Sequence, residues 1–192
     1  MIIKKLLVHA KTIATFSFIF LIFSGFVLAA ETKTRVRIFG LFLPDRENDL
    51  RKIIDEWADI KLESIDFKHG EGVFVFDADK IFPKANAGQI ITNLDNKLRS
   101  ASNGTFGIKP LSTVDKEKLV RIEIEVQGLD CRACSFAAYN IIANIDGVEQ
   151  ATSSFKDGLI TALIDPGKTQ KSVLEEALKK RNVTLKQDQI KK

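Results

Sequence analysis

The sequence predicts an α+β protein made of two tandem copies of one small unit. Three observations lead there. Val120, Ile122, Ile124 and Val126 alternate with Arg121, Glu123, Glu125 and Gln127, which gives a strand with one buried and one wet face. After Cys134 the apolar period lengthens to Ala138, Ile141, Ile142 and Ile145, the spacing of a helix. Sliding the chain by 88 residues lays 36–77 on 124–165 without a gap, with identities at Gly40/Gly128, Leu41/Leu129, Ile53/Ile141, Ile54/Ile142, Phe67/Phe155, Lys68/Lys156, Gly70/Gly158 and Asp77/Asp165. Those matches fall on turn glycines and on a helix face that reads as buried, where a fold restricts residue type, so an internal duplication follows.

Residues 1–30 form the leader. Lys4, Lys5 and Lys11 precede an uncharged apolar run, Ile13 to Ala30, that ends Val27-Leu28-Ala29-Ala30. This is the pattern of a secretory signal cleaved after Ala29 or Ala30, and it predicts a periplasmic or secreted protein. At 18 residues the run also meets the lower limit for a spanning helix, so an uncleaved leader would make a membrane anchor. Taking the leader's three lysines from 29 basic residues leaves 26 against 25 acidic ones, a charge of +1. Nucleic-acid binding, which needs a concentrated basic face, is therefore not predicted.

The first copy is expected over 34–108. Val36 and Ile38 alternate with Arg35 and Arg37, and Gly40-Leu41 follow. Leu43 and Arg46 stand where the second copy has Cys131 and Cys134, so no soft ligand remains there. Pro44 and Asp45 make a helix entrance, with Asp45 as cap or first-turn acid, and Leu50, Ile53, Ile54 and Trp57 supply a helical apolar face with Trp57 in the core. Ile65–Phe67 and Val73–Phe76 flank a hairpin turn that places His69 in solvent, with no cysteine or acid cluster near it in sequence. About four extra residues surround Pro83 before a helix using Ile90, Ile91, Leu94 and Leu98. Asn103-Gly104 turns into a short strand at 105–108, and 109–118 is the linker.

The second copy, 119–186, carries the chemistry, and 187–192 reads as a solvated tail. Cys131 sits in the turn after the first strand and Cys134 in the first turn of the helix that follows. Unpaired N–H groups at a helix start favour thiolate over thiol, so both sulfurs can act as soft ligands. A closed structural zinc site needs four protein ligands, and this chain has no other cysteine, Met1 as its single methionine, and only His9 and His69 besides. Two sulfurs alone suit Cu(I) or Hg(II); Zn(II) would require Asp130, water or a second chain. Downstream, Gly147 ends the helix, Val148–Ser154 and Leu159–Ile164 form a hairpin, Ser172 with Glu175 makes a capping-box pattern, and Val183 and Leu185 suit a closing strand.

The run Gly128-Leu129-Asp130-Cys131-Arg132-Ala133-Cys134, then Ile145-Asp146-Gly147-Val148 and Asp165-Pro166, resembles the heavy-metal-associated domain family, known for G-M-x-C-x-x-C, a helix ending near P-G-V and a strand closing on D-P. The resemblance implies two ferredoxin-like βαββαβ domains in tandem and a soft metal held by Cys131 and Cys134. There are three departures. Leu129 replaces a methionine that packs beneath the loop, a swap that conserves volume. Asn182 replaces a glycine, which Asn can do because it also visits left-handed conformations. Val183 replaces the aromatic or lysine that faces the metal, and so bears on which ion is held.

Three functions remain open at this point. The first is an exported protein that carries Cu(I) or Hg(II) on Cys131 and Cys134 and passes it to a membrane metal transporter or another thiol-bearing metal protein. The second is thiol-disulfide exchange by the same pair, for which a lone Cys-x-x-Cys is also a motif. The third is an interaction module with a vestigial thiol pair, in which the cysteine-free copy serves as scaffold, docking site or homodimer surface. No paired catalytic acids, phosphate-binding glycine loop or Ser/His/Asp set appears, so the chain is not expected to be an enzyme.

Overall fold

In the computed structural model, which describes residues 31–186, the alternation around Val36 and Ile38 becomes strand β1 (Glu31–Phe39), with both side chains buried. The chain continues through α1 (Arg46–Asp55), β2 (Ile60–Asp66), β3 (Glu71–Asp77), the one-turn helix α2 (Ala78–Ile81), α3 (Ala87–Ala101) and β4 (Gly107–Lys109). A 3₁₀ turn at Lys116–Lys118 leads into β5 (Val120–Gln127), α4 (Arg132–Ala143), β6 (Val148–Ser154), β7 (Leu159–Ile164), α5 (Lys171–Lys180) and β8 (Thr184–Leu185). The leader and the tail lie outside the described residues.

Each run closes a four-stranded antiparallel sheet, β2-β3-β1-β4 and β6-β7-β5-β8. The order is the same in both, and it is the ferredoxin-like βαββαβ arrangement. Positions 88 apart play the same part: Val36/Ile124, Ile38/Val126, Leu41/Leu129, Leu50/Ala138, Ile54/Ile142, Ile60/Val148, Phe74/Ala162 and Phe76/Ile164 are all buried pairs. The second core is built from smaller side chains, with Ala138, Ala151 and Ala162 in it. Phe42, from the first repeat, completes that core, and it is 3% exposed there. Full burial of such a ring is worth about 2–3 kcal/mol, so the first repeat is anchored on the second through a side chain of its own, while the two cores stay separate.

Several local expectations are corrected. Asp45 is the N-cap of α1 but makes no side-chain capping bond: its backbone is helical (φ −67, ψ −16) rather than the extended conformation a capping side chain needs, and its carboxylate accepts from Arg132 instead. Ser172 and Glu175 do not form a capping box: α5 starts at Lys171 with Gln170 as N-cap, which places Ser172 inside the first turn. The capping box forms instead on α3, between Asn86 and Gln89. Helix α4 ends at Ala143, and Gly147 (φ +86) turns the chain into β6 four residues later. The residues before Pro83 form α2, capped by Asp77, whose carboxylate accepts from Lys80 N at 3.1 Å. Trp57 lies beyond α1, half-buried against the first core beneath Lys97. His69 is not free in solvent: its Nδ1 sits 2.7 Å from Asp66 Oδ2. Asn182 adopts the left-handed conformation expected of it (φ 61).

Candidate metal centre

The thiol loop is set by a glycine, a buried leucine and a helix start. Gly128 takes φ +78, with open space where a Cβ would stand, so backbone conformation rather than crowding calls for glycine there. Leu129 is buried in the second core and anchors the loop from below. Cys131 is then the N-cap of α4 in extended conformation (φ −150, ψ 163). Its Sγ accepts the backbone N–H of Cys134 at 3.1 Å, and its carbonyl accepts Ser135 N at 3.0 Å. A sulfur thus does what Ser or Asp does at ordinary helix starts.

Both cysteines are free thiols, Cys131 exposed and Cys134 half-buried. Hydrogen bonding makes them unequal. The Cys134 side chain and backbone donate to Cys131 and hold its thiol below the ordinary value. The same contact pushes the Cys134 thiol up, because it gives its proton to that bond. Cys131 is therefore the first thiolate of the pair. Among the described residues no group of three or more His, Cys, Asp and Glu side chains is placed to share an ion, so Asp130 does not complete a zinc-like set with the two sulfurs. Val183 packs against the second core.

No protein-family model matches this chain. An uncharacterized protein of Haemophilus influenzae is 31% identical over 55 residues; the match takes in 29% of this chain and spans 60% of that relative's length. Among solved structures, the chain is similar to a CopZ metallochaperone (24% identity, 34% of this chain and 98% of that one, TM-score 0.34). It is similar also to oxidized MerP from Ralstonia metallidurans CH34 (21% identity, 35% and 97%, TM-score 0.33). The N-terminal soluble domains of Bacillus subtilis CopA give 16% identity over 83% of this chain and 95% of that one, TM-score 0.34.

The thiol loop borders the first repeat. The matching first-repeat loop, 40–46, lies against α4 and the edge strand β6. Ser153 N donates to Phe42 O at 3.0 Å, Gly40 N donates to the Tyr139 hydroxyl at 2.7 Å, and Gln150 Nε2 donates to Leu41 O and Phe67 O at 3.3 and 3.1 Å. Phe42 packs on Phe136 and Tyr139 with centroids 5.3 and 5.6 Å apart. Burial pushes the Tyr139 hydroxyl well up, so it stays protonated. Glu149 pairs with Arg37 across the same boundary. None of these contacts announces itself in the sequence, because Phe42, Tyr139 and Gln150 belong to no motif.

In that first-repeat loop a cation is built in. The Arg46 guanidinium, at the position of Cys134, lies 4.2 Å from the Phe106 ring centroid and 5.4 Å from that of Phe42. It bonds to Asp49 Oδ2 at 2.7 Å, Thr105 Oγ1 at 3.3 Å and Gly40 O at 3.4 Å. Between the repeats a cleft of about 490 Å³ is lined by Leu43, Pro44, Asp45, Arg132, Phe155 and neighbouring hairpin residues.

Proposed function

We propose that the protein binds one soft metal ion, Cu(I) or Hg(II), through Cys131 and Cys134 and hands it to a thiol-bearing partner. The observation that carries this reading is the paired sulfurs at the start of α4: one exposed, one half-buried, with the thiol of the exposed one held below its ordinary value by hydrogen bonds from Cys134. Two thiolates without further ligands are a donor set for an ion content with two soft bonds, and a poor one for zinc. The match of Gly128–Cys134 to the heavy-metal-associated motif supports the same reading.

Loading releases the protons that the thiols still hold, Cys134 giving up the more firmly held one. Transfer is ligand exchange without redox change. An incoming thiolate forms a third metal–sulfur bond; one protein sulfur then leaves, and the second follows as the partner's other thiolate binds. Cys131 stands outermost and is the sulfur a partner meets first. Export to an oxidising compartment, expected from the leader, would demand that loading outrun formation of a Cys131–Cys134 disulfide. A membrane metal transporter or a second thiol protein is the partner chemistry this exchange requires.

The test is anaerobic titration of the reduced protein with Cu(I), Hg(II) and Zn(II) against a competing chelator, beside Cys131→Ser/Cys134→Ser. Retention of Cu(I) or Hg(II) under competition, lost in the double variant, supports the reading and names the ion. Failure of all three ions, with a Cys131–Cys134 reduction potential in the range of catalytic disulfides, would replace it with thiol exchange.

A further inference from the structure

Arg132 stands between the two cysteines in sequence, yet its side chain is held by the other repeat. Its Nη2 donates to Asp45 Oδ2 and to Asp49 Oδ2, both at 3.0 Å. That same Asp49 oxygen accepts Arg46 Nη1 at 2.7 Å. One carboxylate oxygen therefore ties the residue at the Cys134 position of the first repeat to the residue inside the thiol loop of the second. Arg46 registers the neighbouring cation: burial first, and then Arg132, hold its guanidinium below the ordinary value.

We propose that Arg132 is a positioning residue through which the first repeat controls the thiol loop, Asp45 and Asp49 keeping its charge turned from the sulfurs. This rests on the metal-cargo reading for its purpose and deepens it as regulation of the same site. A free guanidinium one residue from Cys131 would attract anions to the thiols and repel a cationic cargo or a basic partner loop. Clamped by Asp45 and by the Asp49 that it shares with Arg46, it belongs to a cluster of two cations and two carboxylates with no net charge. The three side chains are partly open to water, Arg132 at 49%, Asp45 at 61% and Asp49 at 35%, so the clamp is weak enough for a docking partner to open. This assigns the first repeat a task that its missing cysteines do not preclude: it supplies the acids.

The experiment uses the full, reduced, metal-free chain. The rate at which Cys131 is modified is measured with an anionic and with a cationic methanethiosulfonate; in each case the thiolate forms the mixed disulfide and methanesulfinate leaves. A change in thiolate fraction alters both rates equally and cancels from their ratio. Asp45→Asn/Asp49→Asn should raise the anionic-to-cationic ratio about fivefold at low salt, and Asp45→Asn alone, which leaves the Asp49–Arg46 bond in place, about twofold. In an Arg132→Gln background the same acid substitutions should move the ratio by less than about twofold, because the acids act through Arg132. Equal shifts in both backgrounds, or rates that change together at constant ratio, would overturn the proposal. Since no metal enters the assay, its failure leaves the titration result standing, and failure of the titration leaves this one standing.

Discussion

At positions 88 apart the two repeats carry the same turn and opposite contents. The second offers Cys131 and Cys134 to solvent at the start of a helix. The first places Leu43 and Arg46 there, fills the space with a guanidinium bound by Asp49, Thr105 and Gly40, and sends Phe42 into the neighbouring core. Helix starts differ to match: α4 begins at the residue after Cys131, whereas α1 begins only at Arg46, after a turn closed by Arg46 N to Leu43 O at 3.0 Å. The difference teaches that a loop presenting two thiols in one repeat can, with Leu43 and Arg46 in their places, join the two domains in the other. What one repeat leaves open to solvent, the other uses for adhesion.

The comparison breaks most severely at Phe42. Phe42→Ala should cost about 3–5 kcal/mol in urea denaturation and split one unfolding transition into two, because the ring belongs to the second core. An unchanged midpoint would mean that the first-repeat loop only rests on its neighbour. Next in size is Tyr139→Phe. It leaves the Gly40 N–H buried without its acceptor and should cost about 1–3 kcal/mol by the same measurement, with the aromatic packing kept.

Smaller still is an effect confined to the thiols. Cys134→Ala removes the side-chain donor that most stabilises the Cys131 thiolate while keeping the backbone N–H, so the Cys131 pKa should rise part of the way back to its ordinary value. The pH at which Cys131 alkylation reaches half its limiting rate would then move upward. No movement would show that the helix start alone sets the Cys131 thiol, and the asymmetry of the pair would need another source.

Much of this was legible beforehand for definite reasons. Alternation along β5 reports burial at Ile124 and Val126 but not at Val120, which opens the strand 43% exposed; the helical spacing after Cys134 reports it at Ala138 and Ile142, and the 88-residue offset carries the buried pairs with it. The thiol loop was legible because Cys131 and Cys134 flank a strand-to-helix change. Capping was not, since Ser172 and Glu175 have the right spacing on a helix that starts too early for it, and Asp45 sits at its helix start with helical backbone and its carboxylate on a cation 87 residues distant. Contacts between the repeats were not legible either. Phe42 looks like one more apolar residue beside Leu41 and Leu43, and only the small side chains of the second core hint that a ring from elsewhere must fill it.

The measurement that bears most directly on the comparison is the number of soft ions retained per chain under chelator competition, taken with Cu(I) on the reduced protein and on Cys131→Ser/Cys134→Ser. One ion per chain in the first and none in the second is the result expected of one open loop and one filled by Arg46. Two ions per chain, or an ion that survives loss of both cysteines, would contradict it.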